Sequence, residues 1–452
     1  MKRASQVIFV LLFLSMSCSN YAQENFILNK DATKRIDFEL INNLIIIPIE
    51  INGTSLSFIL DTGVSKPILF NLSEQDSVDI NETEKIFLHG LGPNGKIEAL
   101  RSKNNVFQFG EAKCNNLDLY VVFDDDLNFT PRLGIVVHGI IGYDIFKDFI
   151  VEINYSSEYI KLYNHEAFNK KMNKKWQKLP LEINKTKPYI DTYVTMQDTL
   201  ARIPVKLLID SGSSDALWLF EDSSKGLVPD TSLFFRDYLG KGLSGSVYGK
   251  RSRINKLTLN KFEINDANVA FPDTASVDVA RIFKERDGSL GGNVLKRFNY
   301  FFDYKNEQLY IKKNNLFNKP FLYNNSGITL EHNGAMFVRE KVSLIKSNNN
   351  PNENLNTIKI DFSLNYIMSL KPVYRVVELR ESSNAFKAGL KVGDILIRIN
   401  GNPAYNYDLS KINEILYGNT GKSIRLRIER NGIPINFKFK LDDVFQKNEL
   451  PN

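Results

Sequence analysis

The sequence predicts a mainly β protein made of two similar β-lobes followed by a third, smaller domain. Strand-like apolar runs alternate with Asn-Gly and other glycine turns along most of the chain. An apolar run that ends in Asp, a hydroxyl residue and Gly occurs twice, at residues 58–63 and 207–212. From about residue 325 the pattern of turns and strands changes, which indicates a separate domain.

A repeat that keeps its register predicts the two lobes. Asp61 and Asp210 lie 149 positions apart, and so do Gly142 and Gly291. Because chance does not hold register in this way, a repeat of this length indicates a duplicated domain and not a solenoid unit. The predicted order is a signal peptide at 1–23, a first lobe at 24–164, a linker at 165–178, a second lobe at 179–318 and a third domain at 325–445 with an insertion near 331–372.

Each lobe opens with a predicted hairpin whose second strand ends at the repeated aspartate. In the first lobe the hairpin at 44–60 turns at Asn52-Gly53, and in the second lobe the strands at 189–196 and 201–209 precede Asp210. Later strands of the lobes are predicted at 105–110, 117–123, 149–155, 159–163, 301–304 and 308–312. The third domain is predicted to have strands at 326–330, 373–379, 424–429 and 433–441, a turn at Asn333-Gly334, and helices at 385–390 and 409–417.

Composition describes an ordinary globular protein, with 43% hydrophobic and 24% charged residues over a length of 452. The net charge of +6 is diffuse and forms no basic stripe, so nucleic acid is not an expected partner. The four histidines never stand at metal-ligand spacing, and we expect neither a metal nor a cofactor. Beyond the first 23 residues only Cys114 remains, so stability must come from core burial and not from an intrachain disulfide.

The first 23 residues are typical of a secretory signal peptide. Lys2 and Arg3 precede an apolar core at 7–16 that is too short to span a membrane, and small residues follow it. We therefore expect export to the periplasm or cell envelope, or secretion. Lipid attachment at Cys18 is the alternative, ranked second because Ser15 stands where such signals usually carry leucine. No later segment is long and apolar enough to be expected to span the membrane.

The repeated motif points to two carboxyl groups that act together. A strand that delivers Asp61 or Asp210 from apolar surroundings is costly unless the carboxylate is hydrogen-bonded and paired. Two close carboxyls share one proton, so one can take a proton from water while the other protonates the scissile amide. A single copy would be interpreted as an ordinary turn. Two copies in register favour catalysis.

The residues next to each aspartate are predicted to support the loops. Gly63 and Gly212 let the backbone turn tightly and approach its symmetry mate. Thr62 and Ser211 can donate their hydroxyls across the interface and lock the two loops together.

One difference between the copies suggests which aspartate is ionised. Ser213, three residues after Asp210, could donate to that carboxylate, whereas Val64, at the matching place after Asp61, cannot. Since hydrogen bonds to the charged form lower a pKa, Asp210 is the expected base and Asp61 the expected proton carrier.

Two glycine-rich loops at matching places in the lobes are candidate flaps, which close over a substrate and exclude water. They contain Gly90 and Gly92 in the first lobe and Gly240 and Gly242 in the second. The alternative is that each is only a mobile hairpin tip.

Residues 40–163 and 189–313 resemble the retropepsin-like and pepsin-like aspartic proteases. The resemblance is carried by the two Asp-hydroxyl-Gly motifs and by the elements at 140–142 and 289–291. It implies two β-barrel-like lobes with the active site at their junction, in a chain that looks like a fused retropepsin dimer with two flaps. Val64 and Ser289 depart from the family pattern, which affects the expected activity level and pH optimum and not the fold.

The third domain resembles a PDZ domain of the bacterial protease-associated type, on the stretches 388–396 and 399–401. Such domains bind extended peptides, often C-termini, by strand addition. The candidate carboxylate-binding loop consists of Gly327, Ile328, Thr329 and Leu330. Because the insertion breaks the usual spacing, a plain structural strand is the alternative there.

The combination predicts an exported, bacterial-type aspartic endopeptidase that acts on polypeptides. Its PDZ domain would bind a peptide, for example a C-terminus, to recruit substrate or regulate access, and we expect a monomer. Two alternatives stay open: a non-catalytic peptide-binding scaffold that retains the protease fold, and an envelope scaffold that acts mainly through the PDZ domain.

Overall fold

The computed structural model describes residues 24–72, 78–123, 127–169, 172–197, 201–230, 232–343 and 364–445. They form two compact units. The first takes the described residues within Met1–Asn128, Val136–Phe321 and Phe445–Asn452, and the second takes Phe129–Ile135 and those within Leu322–Val444. The predicted signal peptide and the middle of the predicted insertion lie outside the described residues.

Strands dominate both units, and the prediction of a mainly β protein is confirmed. Up to residue 163 the elements are β1 Ile36–Asp37, β2 Glu39–Ile41, β3 Leu44–Ile51, β4 Thr54–Leu60, β5 Ile68–Leu69, β6 Thr83–His89, β7 Lys96–Phe109, β8 Ala112–Val121, α1 Thr130–Leu133, β9 Gly139–Ile141, α2 Tyr143–Phe146, β10 Ile150–Asn154 and β11 Tyr159–Tyr163. From 177 to 313 they are β12 Gln177–Pro180, β13 Glu182–Asn184, β14 Lys187–Thr195, β15 Ile203–Asp210, β16 Leu217–Leu219, β17 Phe235–Gly242, β18 Gly245–Arg253, β19 Lys256–Leu259, β20 Phe262–Asn265, β21 Asn268–Pro272, β22 Gly288–Gly291, α3 Gly292–Leu295, β23 Phe298–Asp303 and β24 Gln308–Lys313. The rest are β25 Ile328–Ser343, β26 Leu364–Leu379, α4 Asn384–Lys387, β27 Ile395–Ile399, β28 Asn402–Pro403, α5 Leu409–Leu416, β29 Ser423–Arg430 and β30 Ile433–Lys440, with short 3-10 turns at Thr274–Ser276, Ala280–Ile282 and Ala404–Asn406.

The two halves of the first unit repeat one topology. In the first half, β4 pairs with β3 antiparallel and with β9 parallel, and β9 then pairs with β5, which is parallel to β8. In the second half, β15, β14, β22, β16 and β21 pair in the same order and the same directions. The strand that carries each aspartate is therefore central in its sheet, between an antiparallel and a parallel neighbour.

A third sheet joins the halves, in the order β1-β11-β10-β23-β24-β12 within the described part of the chain. Its central contact is the antiparallel pair of β10 and β23, with Ile150 opposite Asp303. Strand β12 enters this sheet from the end of the predicted linker, so the last residues of that linker are structural.

The core explains why these segments form strands. The hairpin of β3 and β4 turns at Asn52 and Gly53, whose φ angles of 48° and 89° suit the tight turn that the right-handed twist of paired strands requires. Both strands are apolar over most of their length, and one continuous buried cluster extends through both halves. Burying each large aliphatic or aromatic side chain there contributes about 1.5–3 kcal/mol.

The second unit is a sheet in the order β25-β26-β27-β29-β30, with β28 on β27 and α5 buried against it. The predicted turn at Asn333-Gly334 is wrong. The two residues form a bulge, because pairing with β26 resumes at Ala335 opposite Pro372. The strands consequently extend far into the predicted insertion, as a two-stranded ribbon with exposed side chains such as Phe337 and Leu370.

Two ion pairs hold parts of the second unit together. Arg430 bonds both carboxylate oxygens of the buried Asp394, with Nε 2.6 Å from Oδ1. Arg132 of α1 donates to Glu331 of β25 over 2.5 Å. Among the residues that the structure describes, no helix combines the length and the apolar character needed to cross a membrane.

Candidate active site

The structure brings the two repeated aspartates together. Asp61 directly follows β4 and its amide donates to Ile141 over 2.8 Å, while Asp210 ends β15 opposite Gly291. A methyl group added to Gly63 would lie 3.1 Å from Oδ1 of Asp61 and 3.6 Å from Oδ1 of Asp210. Two carboxyl groups thus meet between equivalent loops from the two halves.

Reciprocal hydrogen bonds lock these loops. The Thr62 hydroxyl donates to the Ile209 carbonyl over 2.7 Å and accepts from the Ser211 amide over 3.0 Å. In the mirrored pair, the Ser211 hydroxyl donates to Leu60 over 2.7 Å and accepts from the Thr62 amide over 3.0 Å. Thr62 is fully buried and Ser211 nearly so. The loops cannot move apart without exposing four satisfied backbone groups.

Two glycines are required by close approach. A Cβ on Gly212 would lie 2.3 Å from Cγ of Asp61, and one on Gly142 would lie 1.8 Å from the Asp61 carbonyl oxygen. Any side chain at these positions would displace Asp61. This explains why glycine is the third residue of the motif at 210–212 and why glycine ends the apolar element at 140–142.

The surroundings shift the pKa of both aspartates away from that of a free aspartate. Burial, and then the neighbouring Asp210, raise the pKa of Asp61 to about 7, although the amides of Gly63 and Gly212 and the charge of Lys187 act to lower it. Burial also raises the pKa of Asp210, and it is opposed by Arg286, by Lys187 and by backbone amides. Because close carboxyls titrate as a unit, these values belong to the pair.

Lys187 and Arg286 are charged residues of the site that the sequence reasoning missed. Lys187 begins β14 and Arg286 lies two residues before β22. The 149-residue spacing of the repeat matches Arg286 to the apolar Val137, but only the packed structure shows that the guanidinium interacts with Asp210.

Ser213 does not act as expected. Its backbone amide, and not its hydroxyl, bonds the Asp210 carboxylate. The hydroxyl lies on the side of Gly291, 3.1 Å from where a Cβ on that glycine would be. The hydroxyl of Ser213 is therefore not a source of asymmetry between the aspartates.

The candidate flaps are two β-hairpins whose tips contact each other. The first consists of β6 and β7, and the second of β17 and β18. Ser244, which the sequence reasoning did not single out, joins the tips: its hydroxyl accepts from the Gly90 amide over 3.1 Å and donates to the Gly95 carbonyl over 2.5 Å. Its amide donates to Leu91 over 2.8 Å.

The four flap glycines do not all lie at this contact. Gly92 donates to Ser276 over 2.9 Å and packs on Ser244, and Gly242 packs on the Leu91 carbonyl. Gly240 instead lies at a bulge in β17, with a φ of 152° and open space around its Cα. Its role is to bend the strand and not to form the tip.

An ion pair between the buried Arg251 and the half-buried Asp215 connects the Asp210 loop to the second candidate flap. Asp215 accepts from Arg251 over 2.6 Å and from the Trp218 indole over 2.5 Å. The same Arg251 donates to the carbonyls of Tyr238 and Leu239 in β17. The sequence carries no signal for this network, since its members are brought together only by sheet packing.

The candidate carboxylate loop of the second unit is largely a strand. Gly327 has a φ of 73° and precedes β25, and Ile328, Thr329 and Leu330 begin that strand. The side chains of Ile328 and Leu330 are buried in the core, and the amides of Gly327 and Ile328 are bonded to nearby side chains. The alternative of a plain structural strand describes these residues better than a free amide nest.

No metal centre is apparent, because the described residues contain no group of three or more His, Cys, Asp or Glu side chains arranged to hold an ion. The free thiol of Cys114 is fully buried in the core. The paired aspartate loops are thus the chemically distinctive feature of the first unit.

Two lobes that bring matched Asp-hydroxyl-Gly loops together define the aspartyl protease class of fold. In agreement, residues 47–145 match the family model described as aspartyl protease, a range that includes Asp61 and the glycine element at 140–142. Residues 375–430, in the second unit, match the model described as PDZ domain. No curated protein matches the chain.

Proposed function

We propose that this protein is an exported aspartic endopeptidase that cleaves polypeptides by activating water between Asp61 and Asp210. The observation that carries the proposal is the convergence of these two carboxyl groups between loops that are locked by reciprocal hydrogen bonds. A fold that only binds peptides has no need to hold two repelling carboxyls in one desolvated place.

The proposed reaction uses the one proton that the pair shares. Ionised Asp210 takes a proton from water, and the oxygen adds to the scissile carbonyl carbon, while Asp61 gives its proton to the carbonyl oxygen. Asp210 then passes the proton it took from water to the amide nitrogen, the C–N bond breaks, and one hydroxyl of the tetrahedral intermediate returns its proton to Asp61, which leaves a carboxylic acid and an amine. The pair ends with one shared proton, as it began, and needs no metal or cofactor.

The remaining parts have supporting roles in this proposal. Thr62, Ser211 and the amides of Gly63 and Gly212 hold the carboxyls in place, and the two hairpins act as flaps. The PDZ domain binds an extended peptide by strand addition, to recruit substrate or control access. The repeated topology of the two halves supports their origin by duplication, and we infer a monomer because one chain supplies both aspartates.

The test is cleavage of unfolded casein by the purified protein between pH 3 and 8, beside Asp61→Asn and Asp210→Asn. We expect both variants to lose cleavage and a statine-type inhibitor to block the unsubstituted protein. Asp191→Asn, the same substitution at an exposed aspartate of the second half, is the matched control and is expected to cleave normally. A folded protein that cleaves nothing at any pH would instead favour the non-catalytic peptide-binding scaffold.

Export has its own test. Cell fractionation followed by mass spectrometry of the N-terminal peptide separates the proposed cleavage near residue 23 from lipid attachment at Cys18. A cytoplasmic protein with an intact N-terminus would contradict the proposal.

A further inference from the structure

We propose that the second unit has a peptide-binding site that binds a basic side chain through Glu331 and Glu378, and that residues 129–135 of the same chain occupy this site as a displaceable ligand. We call residues 129–135 the strap. The inference rests on the proposed peptide binding by the PDZ domain and not on the endopeptidase activity. It adds the chemistry of the ligand and the identity of the segment that takes its place.

The strap lies between β8 and β9 in the chain, yet it packs with the second unit. The residues on both sides of it are held within the first unit. Leu127 is buried, the His138 amide donates to the Ser57 carbonyl over 2.8 Å, and the His138 carbonyl accepts from the Phe70 amide over 2.7 Å. The strap can therefore leave its place without pulling β9 out of register with β4, the strand that precedes the first aspartate.

An ion pair fixes the strap to the sheet of the second unit. Arg132 donates from Nε to Oε1 of Glu331 over 2.5 Å, and its Nη2 lies 4.0 Å from Oε1 of Glu378. The side chains of Arg132 and Glu331 are only 26% and 18% exposed, so the pair is largely shielded from water. Glu378 lies opposite Thr329, two residues before Glu331 on β25, so both carboxylates belong to one face of the sheet.

The strap also lies between β25 and α5. A Cβ on Gly134 would be 3.2 Å from Nε2 of His332 on β25 and 3.3 Å from Cβ of Leu409, the first residue of α5. Within the described part of the chain, β25 pairs along one side only, with β26. Its other edge is the one to which a peptide strand would add. The strap is therefore placed where a peptide that enters between β25 and α5 would lie.

The charges around this place favour a cationic ligand. Arg375, opposite Glu331 on β26, is exposed, so water screens its charge. The amides of Gly327 and Ile328 are already bonded to nearby side chains, so they offer no nest to a peptide carboxylate. An arginine or lysine side chain, in contrast, can replace Arg132 and form charge-assisted hydrogen bonds with the two glutamates.

Limited digestion with trypsin, followed by mass spectrometry, measures release of the strap. Trypsin cuts after Arg132, and the rate of this cut follows the fraction of molecules whose strap has left the sheet. We expect Glu331→Gln to speed the cut about tenfold, because a hydrogen bond between charged groups is lost.

Glu340→Gln is the matched control for this digestion. Glu340 also lies on β25 and pairs with Lys371 over 2.9 Å, with similarly exposed side chains, but it lies further along the strand and does not bond the strap. Its substitution is expected to leave the cut after Arg132 unchanged. Equal rates in Glu331→Gln and Glu340→Gln would contradict the inference, because the ion pair would then not hold the strap in place.

Binding in trans uses the strap as its own probe. The probe is a fluorescein-labelled peptide of residues 127–136, and binding is followed by fluorescence polarisation with Asp210→Asn added to every protein, so that the probe stays intact. Protein with its own strap should bind weakly, because the strap competes. Arg132→Met in the protein should bind the probe about tenfold more tightly, since affinity rises with the fraction of open sites. Arg132→Lys, which keeps the charge, should bind as weakly as the parent.

A second peptide tests whether the site selects a cation. It has the same sequence with Arg132→Met, and the Arg132→Met protein is expected to prefer the arginine peptide about tenfold. Glu331→Gln added to that protein should remove the preference. Equal binding of the two peptides by the Arg132→Met protein, or binding of neither, would overturn the inference.

Casein cleavage by the protein with Asp210 intact separates this inference from the proposed endopeptidase activity. If the arginine peptide is preferred while casein is never cleaved, the inference holds and the endopeptidase proposal fails. If casein is cleaved while the two peptides bind equally, the inference is wrong and the endopeptidase proposal stands.

Discussion

Replacing Thr62 by Val should destabilise the first unit and slow any reaction at the aspartate pair. Valine has the shape of threonine without its hydroxyl, so packing is nearly preserved and the hydrogen bonds are lost. The Ile209 carbonyl loses a donor at 2.7 Å, and the Ser211 amide loses an acceptor at 3.0 Å. Both groups lie in the buried centre of the interface between the halves.

The magnitude follows from these two groups. Each buried polar group left without a partner costs about 1–3 kcal/mol, so Thr62→Val is expected to cost about 2–6 kcal/mol. Thr33→Val is the matched control, because Thr33 is also buried but its hydroxyl accepts only one bond, from the Leu162 amide over 3.0 Å. It is expected to cost about 1–3 kcal/mol.

Urea unfolding followed by tryptophan fluorescence measures both variants. Trp176 and Trp218 both lie in the first unit, so the signal reports that unit. Ser211→Ala added to Thr62→Val should cost less than the sum of the two single changes, because the two hydroxyls contact each other at 3.4 Å. A cost for Thr62→Val no larger than that for Thr33→Val would refute the interlocked-loop reasoning.

Four further predictions concern other parts of the chain. Burial raises the pKa of Asp61 to about 7, so between about pH 4 and 7 the folded protein holds a proton that the unfolded chain has lost, and the free energy of unfolding falls as the pH rises. Urea midpoints measured at pH 5 and 8 should therefore differ less for Asp61→Asn than for the unsubstituted protein. Gly212→Ala should lower kcat/KM about 100-fold by displacing Asp61. Ser244→Ala should raise KM and speed limited proteolysis at the hairpin tips. Arg430→Leu leaves the buried Asp394 carboxylate without its ion-pair partner and should lower the free energy of unfolding by about 3–5 kcal/mol. The loss should be seen as faster hydrogen exchange of the second unit alone.

Much of the fold could be predicted because its signals are local. Asn52-Gly53 between two apolar runs predicts a hairpin from adjacent residues alone. In the structure β3 and β4 pair up to this turn. The turn predicted at Asn333-Gly334 had the same signal and is wrong, because the long partner strand β26 continues the ladder past it. Cross-strand pairing there outweighs local turn preference.

The residues of the candidate site also differ in whether the sequence alone could identify them. Asp61 and Asp210 could be singled out because each ends an apolar strand in a repeated motif. Lys187, Arg286 and Ser244 could not, because their importance depends on neighbours far away in sequence: Ser244 bonds Gly90 and Gly95 across about 150 positions. No periodicity or spacing encodes which side chain of one half will face which loop of the other.

The sequence by itself determined the strands, the repeat and the identity of the two aspartates, since these follow from residue preferences and from register within short segments. Only the tertiary structure decided the surroundings of the pair. Packing buries both carboxyl groups and brings Lys187 and the buried Arg286 into electrostatic interaction with them. Because desolvation and Coulomb energy depend on distance and burial, the same motif in two copies acquires two different environments only once the halves have packed together.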